Sequence, residues 1–411
     1  MRVTSIISEY NPFHEGHKYH MEKTKKITNS DYTIVIMSGN FTQRGIPAII
    51  DKYARTRQAL LNGADLVLEL PVCFATASAE GFAFGAVSIL EKLGVVNSLV
   101  FGSECGDINS LQMIADFLTD ESLEYKERLQ FFLKQGLSFP KARAKILGDF
   151  FPNLDSSFLS SSNNILGIEY CRALKYFDST ITPMTIMRKD NLYHDEELSQ
   201  PGKLSSATAI RKALYLYSDF DKLALHMPEN SLNIMKNNWN ICTPISTNDF
   251  SIILKYKLLL ESRESLNKYT DVTPDLADRI YNNLNSFKDF DSFCNMLKTK
   301  ELTYTRIARC LLHIALDIKK TDYESFKNSG YAQYARILGF RKDASPLLHE
   351  IKNCSSIPLI SKLSDSMKEF HDVALSMLEK DIQTSHIYES IVTNKFDLEF
   401  RNEFQRHLVI V

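Results

Sequence analysis

The sequence predicts an α/β fold: a parallel sheet covered by helices on both faces, followed by a mostly α-helical region. Short apolar, β-branched runs alternate with longer helical stretches through the first half, the pattern of βαβ units. Beyond about Ser218 most segments instead carry apolar residues at helical spacing. Hydrophobic residues make up 44% of the 411 and charged residues 24%, so each region can bury a core. The division is set at residues 1–218 and 219–411.

In order, the strands expected are 3–7, 32–37, 66–70, 98–101 and 181–187, each a short run rich in Val, Ile, Leu, Phe or Thr. The helices between them are 16–27, 52–62, 79–93, 108–118, 121–147, 165–177 and 207–217, where apolar residues recur every three or four positions. In the second region the same spacing predicts helices at 250–260, 276–285, 290–297, 304–316 and 367–378, with few strand candidates.

Charge narrows the function. Lys and Arg total 48 against 50 Asp and Glu, a net charge of -2, so any anionic partner must be met by a local basic patch. The 7 cysteines are scattered, with no C-x-x-C pair, which suits buried free thiols in a reducing cytosol and argues against structural zinc. The first strand runs quickly into a polar turn, too short for a signal segment, and no stretch has the ~20 apolar residues of a membrane helix. A soluble, cytoplasmic protein with no membrane and no protein partner is expected.

The most informative string is Ser8-Glu9-Tyr10-Asn11-Pro12-Phe13-His14-Glu15-Gly16-His17. It follows the first strand and opens a helix, a place where backbone N–H groups and the helix dipole favour an anion. His14 and His17 share one face of the first turn, and imidazole N–H groups stabilise charge developing on phosphorus. Gly16 clears a side chain where a flat base would approach the backbone. Alone, H-x-x-H also fits a surface helix start or a metal ligand pair.

A second string, Ser206-Ala207-Thr208-Ala209-Ile210-Arg211, opens the helix 207–217. It reads either as a capping sequence with a solvated Arg or as hydroxyls, amides and a guanidinium gathered on a phosphate. Together the two strings resemble the adenylyl-transfer sites of the H-I-G-H nucleotidyltransferase superfamily. There two helix ends grip one nucleotide triphosphate across a Rossmann-like sheet. In that chemistry an acceptor oxygen attacks the α-phosphorus and pyrophosphate leaves, with Mg²⁺ as its counter-ion. His14, His17, Thr208 and Arg211 are the candidate catalytic residues.

Further strings sharpen the resemblance: Met37-Ser38-Gly39-Asn40-Phe41-Thr42-Gln43-Arg44-Gly45, Ala64-Asp65-Leu66-Val67-Leu68-Glu69-Leu70-Pro71, Phe101-Gly102-Ser103-Glu104 and Asn163-Asn164-Ile165-Leu166-Gly167-Ile168-Glu169-Tyr170. In this order they resemble the bacterial tRNA(Met) cytidine acetate ligase family, more loosely in the second half through Lys298-Thr299-Lys300-Glu301-Leu302-Thr303-Tyr304-Thr305-Arg306. The resemblance implies an enzyme that activates acetate with ATP and Mg²⁺ as acetyl-adenylate. The acetyl group then passes to N4 of the wobble cytidine of elongator tRNA(Met).

By position, the resemblance puts the ATP site at Ile7, Ser8, Glu9, Tyr10, Asn11, Pro12, Phe13, His14, Glu15, Gly16, His17, Lys18, Tyr19 and His20, then Gly102, Asn163, Arg188 and Ser206. Asn163 equally fits an N-cap of the helix 165–177, with Asn164 the alternative if the register slips. Ala207 stands where the superfamily usually has Ser or Gly, which removes a hydroxyl but keeps the amide. Lys298, Lys300, Arg306, Arg309 and His313 form a basic stripe expected to meet tRNA, and Arg44 suits acetate, pyrophosphate or tRNA phosphate. Two other functions fit these strings less well: adenylyl transfer to a small acceptor of pantetheine or nicotinate nucleotide type, and RNA binding by a degenerate nucleotide fold.

Overall fold

A computed structural model describes residues 1–154, 156–188, 197–200 and 203–411. The first half contains β1 (Val3–Ser8), α1 (Glu15–Thr28), β2 (Tyr32–Ser38), α2 (Lys52–Leu61), β3 (Leu66–Leu70), the short α3 (Val72–Ala75), α4 (Ala79–Leu93) and β4 (Ser98–Ser103). It continues with α5 (Ile108–Thr119), α6 (Leu123–Lys134), α7 (Phe139–Phe150), α8 (Ser156–Ser160), α9 (Ser162–Tyr176), β5 (Thr182–Met187) and α10 (Ala207–Tyr217). Among the described residues, no helix is long and apolar enough to cross a membrane.

The strands lie in the order β5-β4-β1-β2-β3, all parallel, as expected from the βαβ pattern. β1 is the turning point: later strands are added first on its β2 side, then on its β4 side. The crevice outside the carboxyl ends of β1 and β4 is where such a sheet opens to a ligand.

The second half is mostly helical, as expected, but it also extends the sheet. It adds β6 (Ala335–Phe340), β7 (Leu359–Ile360) and β8 (Val409–Ile410) to the same sheet, with β6 antiparallel to β3. The sheet is therefore mixed, and a division at residue 218 separates chain segments that share one sheet. Ala335-Arg336-Ile337-Leu338-Gly339-Phe340 holds a polar and a glycine position within a helical neighbourhood, which hides the strand.

Two helices differ from their expected extent. The stretch 121–147 divides around Gly136 into α6 and α7, and 367–378 spans a break at Phe370 between the helices Leu363–Glu369 and Asp372–Phe396. The core runs continuously through both halves, from Ile34, Leu68 and Phe74 to Leu311, Tyr334 and Leu378. A buried ionic cluster joins them too. Lys52 on α2 meets Glu69 of β3 at 2.8 Å and Glu403 at 2.5 Å, and Arg336 of β6 meets the same two carboxylates at 3.0 and 2.7 Å.

Candidate active site

The turn after β1 is held from several sides. Tyr10 takes a left-handed backbone (φ 48), uncommon for a large side chain, and its buried ring packs on Phe13 and His17. Asn11 precedes Pro12 through a cis peptide bond. The Asn11 side-chain oxygen accepts from the Ile49 amide at 2.9 Å, and its carbonyl accepts from Arg211 at 2.6 Å. Arg55, fully buried on α2, donates to the carbonyls of Glu9, Ser38, Gly39 and Ile50. One guanidinium thus fixes the ends of both β1 and β2.

α1 then begins with a reciprocal histidine cap. The Gly16 amide donates to His14 Nδ1 at 3.0 Å, and the His14 amide donates to His17 Nδ1 at 3.3 Å. Both rings are stacked with centroids 3.7 Å apart. A neutral imidazole that accepts at Nδ1 carries its proton on Nε2. Burial, then the nearby Arg188 and Arg211 charges, hold His14 down to about 3. Burial, then His14 and Arg188, hold His17 well below the usual range, and burial and Arg188 hold His20 down to about 4. All three are therefore neutral N–H donors at physiological pH.

The helix terminus itself is largely used up. The Glu15 amide donates to the His226 carbonyl at 2.9 Å, and Gly16 is taken by His14. These two backbone amides, which the sequence offers to an anion, are therefore already engaged within the protein. Gly16 has its own reason: a Cβ there would lie 2.8 Å from His14 Cε1, inside the ring that caps it.

The second helix start converges on the same space. Ser206 caps α10 by accepting from the Ala209 amide at 3.1 Å. The Thr208 hydroxyl accepts from Arg211 at 3.2 Å and from Arg44 at 3.4 Å, so two guanidiniums meet at one small side chain. Ser205 pairs with His226 Nδ1 at 3.0 Å, which ties the approach to α10 to the residue that holds Glu15.

On the β4 side, Arg188 lies across Gly102 and donates to Asn163 Oδ1 at 3.5 Å. Asn163 sits inside the first turn of α9, which Ser161 caps, so it is not the N-cap. Its amide group donates to Glu104 at 2.7 Å. Asn164 is buried and turned away, bonding the amides of Glu104 and Cys105 and the Phe158 carbonyl. The pocket-facing residue of the pair is Asn163.

These groups line one cavity of about 250 Å³. Of the expected residues, Ile7, Ser8, Glu9, Tyr10, Asn11, His14, Gly16, His17, Tyr19, His20, Arg44, Gly102, Asn163, Arg188, Ser206, Thr208 and Arg211 all border it. Phe13 does not, being fully buried in the core, and Pro12, Glu15 and Lys18 are also absent from the lining. The Asn11 side-chain nitrogen and His20 Nε2 are buried without a hydrogen-bond partner among the described residues. The Asn11 nitrogen is a donor, whereas His20 is neutral and its ring donates to the Phe101 backbone, which leaves Nε2 an acceptor.

Residues not among the expected site positions also line the cavity, among them Gln43, Ser205 and the apolar Phe82, Phe101, Leu166, Tyr170 and Ile186. Apolar lining carries no signal distinct from core. Lys298 and Lys300 are exposed and Arg306 half-buried, near the start of the helix Tyr304–Ala315. Arg309 is engaged with Asp271 at 3.3 Å, and His313 is fully buried between the Thr270 and Thr76 carbonyls, so neither belongs to an open basic stripe. That helix nevertheless packs on the turn whose Gln43, Arg44 and Ile46 border the cavity. Gly45, in a left-handed turn (φ 74), packs so closely on it that a Cβ would lie 2.3 Å from the Arg309 nitrogen.

The HIGH Nucleotidyl Transferase family matches the chain over residues 1–403. The tRNA(Met) cytidine acetate ligase of Clostridium perfringens is 42% identical over 396 residues, spanning 94% of this chain and 95% of that protein. The enzyme of the same name from Clostridium acetobutylicum is 41% identical over 420 residues and the full length of both. Among solved structures, Thermotoga maritima TmcAL bound with alpha-thio ATP superposes with a TM-score of 0.91 at 33% identity, covering 100% of both chains.

Proposed function

The chain belongs to the HIGH nucleotidyl transferase family and, within it, to the tRNA(Met) cytidine acetate ligases, and from that membership we propose how its residues divide the work. ATP activates acetate as acetyl-adenylate, and the acetyl group passes to N4 of the wobble cytidine of elongator tRNA(Met), giving N4-acetylcytidine. The observation that supports this most is the convergence of neutral imidazole donors and two guanidiniums on one cavity at the β1/β4 crevice.

Gly102, Asn163 and Arg188 hold the adenosine end, and Thr208, Arg211 and Arg44 hold the departing pyrophosphate. Mg²⁺ enters on the triphosphate oxygens as part of the substrate. Acetate attacks the α-phosphorus while the Nε2–H groups of His14 and His17 stabilise charge on its oxygens, and pyrophosphate leaves. Neutral donors suit this task because they need no proton exchange with solvent. The reading places the protein in the cytoplasm with its tRNA.

Acid selectivity tests it. In ATP–pyrophosphate exchange the purified protein is expected to use acetate and to lose ~10-fold or more for each added methylene, the usual scale of rejection by a tight pocket. Exchange without any carboxylic acid, or equal rates with acetate and butyrate, contradicts acetate activation.

The tRNA surface has its own test. Reversing charge at Lys298, Lys300 and Arg306 is expected to weaken tRNA(Met) binding and to reduce its salt slope by about one for each phosphate no longer neutralised. An unchanged slope shows an ordinary solvated face. A loss of pyrophosphate exchange of the same size would instead place these residues in nucleotide binding.

A further inference from the structure

Glu9 is out of keeping with its surroundings. It is the one carboxylate among the described residues that line the cavity, whose other charged members are Arg44, Arg188 and Arg211. No ion pair within 4.0 Å holds it among the described residues. A carboxylate adds repulsion, not affinity, to a triphosphate site. Its position is nevertheless strongly determined. Arg55 fixes its carbonyl at 2.7 Å, and the Gln43 amide donates to Oε1 at 2.8 Å. The 42–46 turn that supplies this amide is closed by Thr42–Ile46 and Gly45–Thr42 hydrogen bonds and packs on the helix Tyr304–Ala315. Oε2 has no partner among the described residues.

The second substrate explains such a group. The exocyclic amine of cytosine presents N–H donors, and a carboxylate is their natural acceptor, whereas the corresponding oxygen of uracil would repel it. Amide formation also requires this amine to lose a proton, since its lone pair is delocalised into the ring. We infer that Glu9 is the general base of the acetyl-transfer step and receives the wobble cytidine through its N4 hydrogens. The inference rests on the function proposed above.

The step balances as follows. The N4 lone pair attacks the acetyl carbonyl carbon of acetyl-adenylate, forming the C–N bond, while Glu9 Oε2 takes one N4 proton. The tetrahedral oxyanion then collapses, the bond from carbonyl carbon to the phosphate-linked oxygen breaks, and AMP leaves with that electron pair. The proton on Glu9 passes to solvent.

Glu9→Gln keeps the size of the side chain and an oxygen for the Gln43 amide, so the two half-reactions separate its roles. Acetate-dependent ATP–pyrophosphate exchange reports adenylation, and single-turnover transfer from preformed acetyl-adenylate to a tRNA(Met) transcript reports the second step. Transfer is expected to slow by ~10²–10⁴-fold, the range of a lost general base, and at least ~10-fold more than exchange. Transfer at the wild-type rate overturns the assignment. So does an equal loss in both half-reactions, which would put the carboxylate in adenylation. Wild-type protein that makes no acetylcytidine in the same assay overturns the underlying function, and this is visible before the variant is measured.

Discussion

Alanine at His14 or at His17 lowers acetate-dependent ATP–pyrophosphate exchange by about 10²- to 10³-fold while the protein stays folded, the scale of one lost donor to transition-state charge. Both Nδ1 atoms are committed to the α1 cap, so Nε2–H is the free donor of each ring. The rings are stacked at 3.7 Å and act as a unit, so the double variant should lose little beyond the worse single. With His14 held down to about 3 and His17 also low, neither ring gains a proton between pH 5 and 8 in the free protein. The profile of kcat/KM for ATP should therefore show no limb near 6.5 from them. Exchange within threefold of wild type in the double variant removes the histidines from the reaction.

Lys52→Met destabilises the fold by about 3–5 kcal/mol, the cost of leaving a buried charge uncompensated. Lys52 is fully buried and contacts Glu69, Glu403 and the Ser385 hydroxyl. Without it, Arg336 alone faces two buried carboxylates. Burial by itself would push Glu403 up, but Lys52 and Arg336 outweigh it and hold the carboxyl far below its usual range. A carboxylate depressed in the folded state contributes stability that is complete above its unfolded value and is lost as pH falls below it. Wild-type stability should thus decline below about pH 4.3, the unfolded reference, and less steeply in Lys52→Met. Thermal unfolding across this range checks both statements. A second change, Glu403→Gln, should restore part of the loss by removing the orphaned charge; an additive further loss contradicts the cluster's charge balance.

How much was legible before the structure follows from the range of each signal. β1, its turn and α1 are contiguous, so periodicity and the His14–His17 spacing place them without tertiary information. The Ser206–Arg211 string was readable as a helix start, but its meeting with Asn11 and Arg44 depends on the folding of distant segments. What hydrogen bonds decide was not visible. His14 caps its own helix and closes the amides that the string seemed to offer, and Asn163 rather than Asn164 faces the cavity because Glu104 and Cys105 occupy the latter. His313 repeats with Arg306 and Arg309 along the sequence, yet Thr76 and Thr270 bury it. β6 was hidden because Arg336 and Gly339 interrupt its short apolar run within a helical neighbourhood.

The most direct test of acetate ligation is a single incubation of the purified protein with ATP, Mg²⁺, radiolabelled acetate and elongator tRNA(Met), with all products resolved. The expected outcome is AMP and pyrophosphate in step with one labelled N4-acetylcytidine at the wobble position, and no label without ATP. ADP as the nucleotide product, or label transferred from acetyl-coenzyme A in the absence of ATP, contradicts the acetyl-adenylate route even if the tRNA is acetylated.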